Sequence, residues 1–273
     1  MTVLHPPPAD PVDPGLLSRA LEVGGRLAND AAEVLAATTD RAGRTGSRTE
    51  RHLFDWVTHT DHTLERHTRR VLAAEFPDIP VLGPVIGTDY PGDESATSRY
   101  RWLVAPVDGA LNYLAGLPWY AYSLALLDAT GPVVGVISDP TRAEIYAAAR
   151  GRGTRVNGVP VRVARQPGRP DPGSGYPVCV DPGTLASACA ARREVRVLGS
   201  AALAITQVAL GNAAAAVLEE YRAWDVAAGL ALALEAGAVV LDRHGRPNPF
   251  ATDGLLVAVP SAVTEVLGWW RPG

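Results

Sequence analysis

The chain has 273 residues, of which 47% are apolar and 20% are charged, a composition typical of a globular protein rather than a disordered or fibrous one. Its formal net charge is −4 and no stretch approaches the roughly 20 consecutive apolar residues of a membrane span, so a general nucleic-acid binder and a transmembrane protein are both disfavoured. The proline-rich start lacks the basic and apolar regions of a signal peptide, so a cytoplasmic protein is expected.

The first half of the chain is predicted to combine two helices with several short strands. Residues 1–14 are expected to form a disordered leader, and polar stretches at 41–51 and 83–99 predict loops. Apolar residues at helical spacing predict a helix over 15–39 and a second helix that begins at Thr60 or Asp61 and ends before Pro77. Short apolar runs predict strands at 101–105, 120–127, 133–139 and 144–149, followed by a hairpin over 151–163 around Asn157-Gly158.

The second half alternates between strands and helices. A Pro/Gly-rich linker at 166–177 is expected to separate an N-terminal half, 15–165, from a C-terminal half, 178–273. The predicted strands cover 178–180, 195–198, 213–218, 238–241 and 255–259. The predicted helices cover 182–191, 200–210, 225–236 and a final segment that ends at Trp270. Such alternation indicates an α/β fold built in layers.

Four collinear motifs carry a resemblance to a known family. The run WLVAPVDGALNY at 102–113 resembles the W-x-x-D-P-[IL]-D-G-T-x-N-[FY] signature of the inositol monophosphatases, and WDVAAG at 224–229 resembles their C-terminal signature. GSAA at 199–202 is similar to their substrate loop, and VTHTD at 57–61 to their early V-T-x-x-D motif. The resemblance implies a layered α-β-α-β-α sandwich, commonly assembled as a homodimer.

The resemblance also implies a set of site residues. The expected catalytic residues are the two carboxylates that the signatures retain, Asp108 and Asp225. The expected substrate-binding residues are Asp61, Gly109, Asn112, Tyr113, Gly199, Ser200, Ala201 and Trp224.

The chain departs from the family at the positions that would hold magnesium. The family's G-E-E motif corresponds to Gly83-Pro84-Val85, and the first Asp and the Thr of D-P-x-D-G-T correspond to Ala105 and Ala110. Magnesium requires oxygen ligands, so the loss of these groups predicts a protein without a metal or another cofactor. A nearby loop carries carboxylates that are candidates to replace the missing Glu: Asp89, Asp93 and Glu94.

Several of these residues also have purely structural interpretations. Asp108-Gly109 is a common turn sequence, Asp225 suits the first turn of a helix, and Gly199-Ser200 suits the start of one. His59 and His62 flank Asp61 without the spacing of a metal pair, and an exposed helical face is the simpler interpretation of both.

Three functions remain open on the sequence. The first is a metal-free enzyme of specialised metabolism that performs acid–base chemistry, such as cyclisation, elimination or isomerisation, on a small-molecule substrate. The second is a non-catalytic pseudophosphatase or scaffold subunit. The third is a weakened phosphomonoesterase that acts on an unusual sugar or inositol phosphate. The resemblance implies a homodimer, the second function also allows pairing with an active homologue, and neither nucleic acid nor membrane is an expected partner.

Overall fold

A computed structural model describes residues 11–45, 57–86, 98–161 and 175–270. The helices are α1 (Pro14–Thr45), α2 (His59–Glu75), α3 (Ala110–Ala115), α4 (Leu185–Ala190), α5 (Ala201–Ala209), α6 (Ala223–Ala236) and α7 (Val263–Trp270). The strands are β1 (Val81–Leu82), β2 (Arg101–Asp108), β3 (Ala121–Asp128), β4 (Gly131–Asp139), β5 (Glu144–Ala149), β6 (Gly153–Val156), β7 (Val159–Val161), β8 (Val178–Val180), β9 (Val195–Arg196), β10 (Ala215–Leu218), β11 (Val239–Asp242) and β12 (Leu255–Ala258).

The described strands form two sheets. The first sheet has seven strands in the order β1 to β7, with β1 parallel to β2 and the other pairs antiparallel. The second has five strands in the order β11-β12-β10-β8-β9, in which β8 runs parallel to both of its neighbours. The carboxyl ends of β8, β9 and β10 therefore lie at one edge of the second sheet.

The helices cover and separate the two sheets because alternate strand residues point to opposite faces. On one face of the first sheet, β2 and β3 residues such as Val104 and Leu124 pack with α1 and α2. On the other face, Leu103 and Ile137 pack with α5 and α6, which also contact the second sheet. Helix α6 comes so close that a Cβ at Gly135 would lie 2.5 Å from the carbonyl oxygen of Ala228. With α4 and α7 on the outer face, the layers follow the expected α-β-α-β-α order.

The element predictions are largely confirmed, with three differences. Helix α1 continues to Thr45, so the prediction of a loop from residue 41 is wrong for 41–45. Its arginines and alanines favour helix and allow α1 to propagate past Gly43. The short elements α3 and β1 were not predicted, because six and two residues are too few to show a periodic pattern.

Some predictions fall outside the described ranges. These are the leader up to residue 10, the loop residues 46–51 and 87–97, the hairpin residues 162–163 and the linker residues 166–174. The division into two halves therefore stays a prediction. No helix of the described ranges is long and apolar enough to span a lipid bilayer.

Candidate functional site

Asp108 ends β2, just after an irregularity in the pairing of β2 with β3. Its carboxylate is buried at the start of α5, where Oδ2 accepts hydrogen bonds from the Ser200 hydroxyl and, at 2.9 Å, from the backbone N–H of Ala202. Burial raises the pKa of Asp108 to about 6, although these hydrogen bonds favour the charged form. Asp108 therefore anchors the N-terminus of α5 to the end of β2.

The loop after Asp108 meets the Gly199-Ser200 turn. Gly109 has a φ of +84°, and a Cβ there would lie 2.5 Å from the carbonyl oxygen of Trp119. The Asn112 side-chain amide donates to the carbonyl oxygens of Trp119 and Leu198, both at 2.7 Å. The structure thus brings together six of the predicted site residues: Asp108, Gly109, Asn112, Gly199, Ser200 and Ala201.

Asp61 lies in the first turn of α2, and the hydroxyl of Tyr113, from α3, reaches the same end of that helix. Asp61 is buried, and its Oδ2 accepts hydrogen bonds from the backbone N–H and the hydroxyl of Thr58, both at 2.7 Å. Burial raises the pKa of Asp61 to about 7 against the effect of these bonds. The hydroxyl of buried Tyr113 lies 3.0 Å from the Thr60 hydroxyl and donates to that of Thr38 at 2.6 Å. Asp61 thus caps the N-terminus of α2, and Tyr113 ties this end of α2 to α1.

Trp224 and Asp225 lie in the first turn of α6. The Asp225 carboxylate is partly exposed and accepts a hydrogen bond from the backbone N–H of Arg222 at 2.9 Å. An acidic side chain in the first turn is favourable because the N-terminus of a helix carries partial positive charge. Trp224 is partly buried and packs on the core between the two sheets.

Glu65 is a buried carboxylate that the motifs did not indicate. Its oxygens accept hydrogen bonds from the backbone N–H groups of Val85 at 2.9 Å and Ile86 at 3.2 Å, and Arg69 pairs with it at 2.8 Å. A Cβ at Gly83 would lie 2.7 Å from the Glu65 carboxyl carbon. The segment that corresponds to the family's G-E-E motif is therefore folded around a carboxylate of α2. The signal in the sequence was the position of Glu65, one helical turn after Asp61.

The side chains around β2 do not fit the paired magnesium ions that the resemblance implies. Ala105, at the position of the bridging carboxylate, is 3% exposed and lies opposite Ser123 of β3. The Ser123 hydroxyl is buried and has no hydrogen-bond partner in the described structure. Side chains directly opposite each other on antiparallel strands lie within contact distance, so a carboxylate at 105 would meet this hydroxyl. A buried hydroxyl without a partner therefore lies beside the position that the resemblance assigns to the bridging carboxylate.

The remaining acidic side chains are held by the protein itself. Oδ2 of Asp61 and Oδ2 of Asp108 each accept two hydrogen bonds, and Glu65 is paired with Arg69. Across the described ranges, no three His, Cys, Asp or Glu side chains are grouped so that they could hold a metal ion. The candidate replacements Asp89, Asp93 and Glu94 lie outside those ranges.

Comparison with known proteins identifies the family of the chain. A model described as the inositol monophosphatase family matches residues 17–268. The chain belongs to this family. Its resemblance to the family, stated from the motifs, is therefore confirmed.

Relatives within the family carry two kinds of name. The chain is 29% identical over 265 residues to the "Nus factor SuhB" of Pasteurella multocida, covering 92% of this chain and 96% of that protein. It is 31% identical over 193 residues to the "Fructose-1,6-bisphosphatase/inositol-1-monophosphatase" of Aquifex aeolicus, covering 68% of this chain and 71% of that protein.

Solved structures confirm the fold. The extragenic suppressor protein suhB of Bartonella henselae superimposes with a TM-score of 0.82 at 24% identity, covering 93% of this chain and 99% of that one. The IMPase of Thermotoga maritima gives a TM-score of 0.78 at 25% identity, covering 92% of this chain and 96% of that one.

The raised pKa values of Asp61 and Asp108 predict how stability depends on pH. Both folded-state values lie above the ordinary 3.8, so the folded protein binds extra protons between about pH 4 and 7. Protonation of these two carboxyls therefore stabilises the folded state fully below about pH 4. This stabilisation is lost as the pH rises through their folded-state pKa values.

Asp108→Asn removes the cost of burying a charge and should leave the melting temperature at pH 8 unchanged or higher. Relative to the parent protein, its free energy of unfolding should rise by about 2 kcal/mol between pH 4 and pH 8, as measured by urea titration at both values. A loss of more than about 1 kcal/mol at pH 8 would show that the charged carboxylate is needed to anchor α5.

Proposed function

We propose that this member of the inositol monophosphatase family has lost paired-magnesium phosphatase chemistry and acts as a non-catalytic binding protein. One observation carries the proposal: Ala105 stands where the family's bridging carboxylate would be, opposite the unpartnered Ser123 hydroxyl. A bridging ligand holds both ions in the geometry that activates water, so its loss disables both of their roles. Asp61 and Asp108 accept hydrogen bonds from the N-termini of α2 and α5, which also supports the loss of the metal site.

The names of the relatives are compatible with this proposal. The relatives named Nus factor show that this fold occurs in proteins whose names state no hydrolase activity, whereas the Aquifex aeolicus protein is named as a phosphatase. A role without hydrolysis is the part of these names that the proposal takes up for this chain. A homodimer in the cytoplasm is part of the proposal, and light scattering on the purified protein measures its oligomeric state.

Phosphate release tests the proposal directly. With millimolar magnesium and either inositol 1-phosphate or p-nitrophenyl phosphate, the purified chain should release no more phosphate than its Asp225→Asn variant. Turnover on the order of 1 s⁻¹ by the parent chain, abolished in that variant, would refute the loss of activity.

A metal-free enzyme is the second candidate, and the pKa values support it. Asp108 at about 6 and Asp61 at about 7 would exchange protons near neutral pH, as a general acid or base must. A small molecule that stabilises the parent chain but is not turned over would favour the binding protein. A molecule that is converted without magnesium, at a rate that Asp108→Asn abolishes without lowering the melting temperature, would favour the enzyme.

A further inference from the structure

The exposed side of α2 carries four basic side chains in one row. His59, His62, Arg66 and Arg70 are all exposed and are separated by three, four and four residues, which places them on one side of a helix. We name this surface the basic face of α2. At 1.5 Å per residue it extends over about 16 Å.

The basic face has no acidic partner on its own helix. Asp61 and Glu65 are buried on the opposite side, where they bond Thr58 and Arg69, and Glu75 at the C-terminal end pairs with Arg19 and Arg26 of α1. Arg66 makes no hydrogen bond or ion pair within the described structure.

Arg70 contacts the neighbouring histidine rather than a carboxylate. Its Nη2 lies 3.1 Å from Nδ1 of His67, whose Nε2 is 2.8 Å from Oδ2 of Asp30 on α1. Since an arginine can only donate, Arg70 reaches Asp30 only through this imidazole and forms no direct ion pair within the described ranges. Several other arginines of the described structure pair with carboxylates, as in Arg142–Asp139, Arg150–Asp128 and Arg193–Glu265.

The arrangement is unfavourable for the isolated chain. Like charges four residues apart destabilise an exposed helix, and Arg66 and Arg70 have this spacing. Protonated His59 and His62 would also oppose the helix dipole, because they lie in or near the first turn of α2. An acidic partner laid along the row would remove both penalties.

We propose that the basic face of α2 is a docking surface for an acidic protein segment that repeats carboxylates at a helical spacing. Carboxylates four residues apart on such a segment match the spacing of His62, Arg66 and Arg70.

The surroundings favour an acidic segment over nucleic acid. Apart from the imidazoles of His59 and His62 at its N-terminal end, the basic face has no aromatic side chain on which a base could stack. On the adjacent α1, Glu22, Asp30 and Glu33 are exposed and would repel the broad backbone of a duplex. A single helix about 10 Å wide can lie on α2 without covering α1.

Binding of a model peptide tests the proposal. The probe is a synthetic helical peptide with glutamate at every fourth position, titrated into the full chain at low salt and followed by nuclear magnetic resonance. Signals of α2 should shift, and Arg66→Glu/Arg70→Glu should weaken binding by at least about tenfold. The neutral variant Arg66→Gln/Arg70→Gln should give an intermediate loss, and about 0.5 M salt should suppress binding.

A matched control variant distinguishes binding at the basic face from a general effect of the protein's net charge. Arg155→Glu/Arg192→Glu changes the net charge equally at two exposed arginines outside α2, and it should bind the peptide like the parent chain. Equal loss in both double variants, no shift of α2 signals, or tighter binding of a short RNA duplex than of the peptide would each overturn the proposal. Arg66 and Arg70 are not among the candidate site residues, so phosphatase activity in the parent chain would refute the proposed function and leave this result unaffected.

Discussion

Ala105→Asp combined with Pro84→Glu and Ala110→Thr is expected to give this chain magnesium binding and phosphate release above its own background. The first change places a carboxylate opposite the Ser123 hydroxyl, and the other two supply the carboxylate and hydroxyl that the family resemblance implies for the water site. Each single change should do little, because ligands of one metal site act as a unit. Calorimetry and phosphate release measure the two effects.

The same triple variant should also differ from the parent chain in its free energy of unfolding. Without magnesium, the added buried carboxylate at position 105 should lower the free energy of unfolding by about 2–4 kcal/mol. Magnesium that binds the folded state alone should recover much of this loss and raise the melting temperature. The control is Ala105→Asn with Pro84→Gln and Ala110→Thr, which has similar shape and no added charge. If magnesium affects both triple variants equally, the position assigned to the bridging ligand is wrong.

Gly109→Ala is expected to be among the most damaging single substitutions in the described structure. Gly109 has a φ of +84°, and the new Cβ would lie 2.5 Å from the backbone oxygen of Trp119, which cannot rotate away. Strain and overlap together should cost about 3–5 kcal/mol of unfolding free energy, measured by urea titration. A shift of the backbone at position 109 would also displace Asn112, whose side-chain amide donates to the carbonyl oxygens of Trp119 and Leu198.

Gly116→Ala provides the control for Gly109→Ala. Gly116 has a similar φ of +72°, but a Cβ there would meet nothing within 4 Å. It should lose only about 1 kcal/mol, the cost of a left-handed conformation for alanine. Equal losses of unfolding free energy at both positions would mean that the contact with the Trp119 carbonyl is not the reason that position 109 requires glycine.

Local patterns were sufficient to predict most elements of the fold. The start of α2 was predicted at Thr60 or Asp61 and lies at His59, where Thr58 and Asp61 form reciprocal hydrogen bonds. The hairpin at Asn157-Gly158 followed from the positive φ values that these residues tolerate, and both have them. The layer order came from the family motifs rather than from periodicity.

The contacts that define the candidate site could not be predicted from local patterns. The bond between Asp108 and Ser200 joins residues 92 positions apart, and that between Glu65 and Val85 joins residues 20 apart. The motifs indicated that Asp108 and Ser200 share a site, but not that the carboxylate anchors α5. The unpartnered hydroxyl of Ser123 appears only when β2 and β3 are paired in register.

A calorimetric titration of the unmodified chain with magnesium tests the central claim most directly. The claim is that the carboxylates which remain cannot hold the paired ions, because the bridging position is Ala105 and because Asp61 and Asp108 are bonded within the protein. We predict a dissociation constant weaker than about 1 mM and no saturable second site. Two magnesium ions bound per chain with sub-millimolar affinity, lost in Asp108→Asn and Asp225→Asn, would contradict the account.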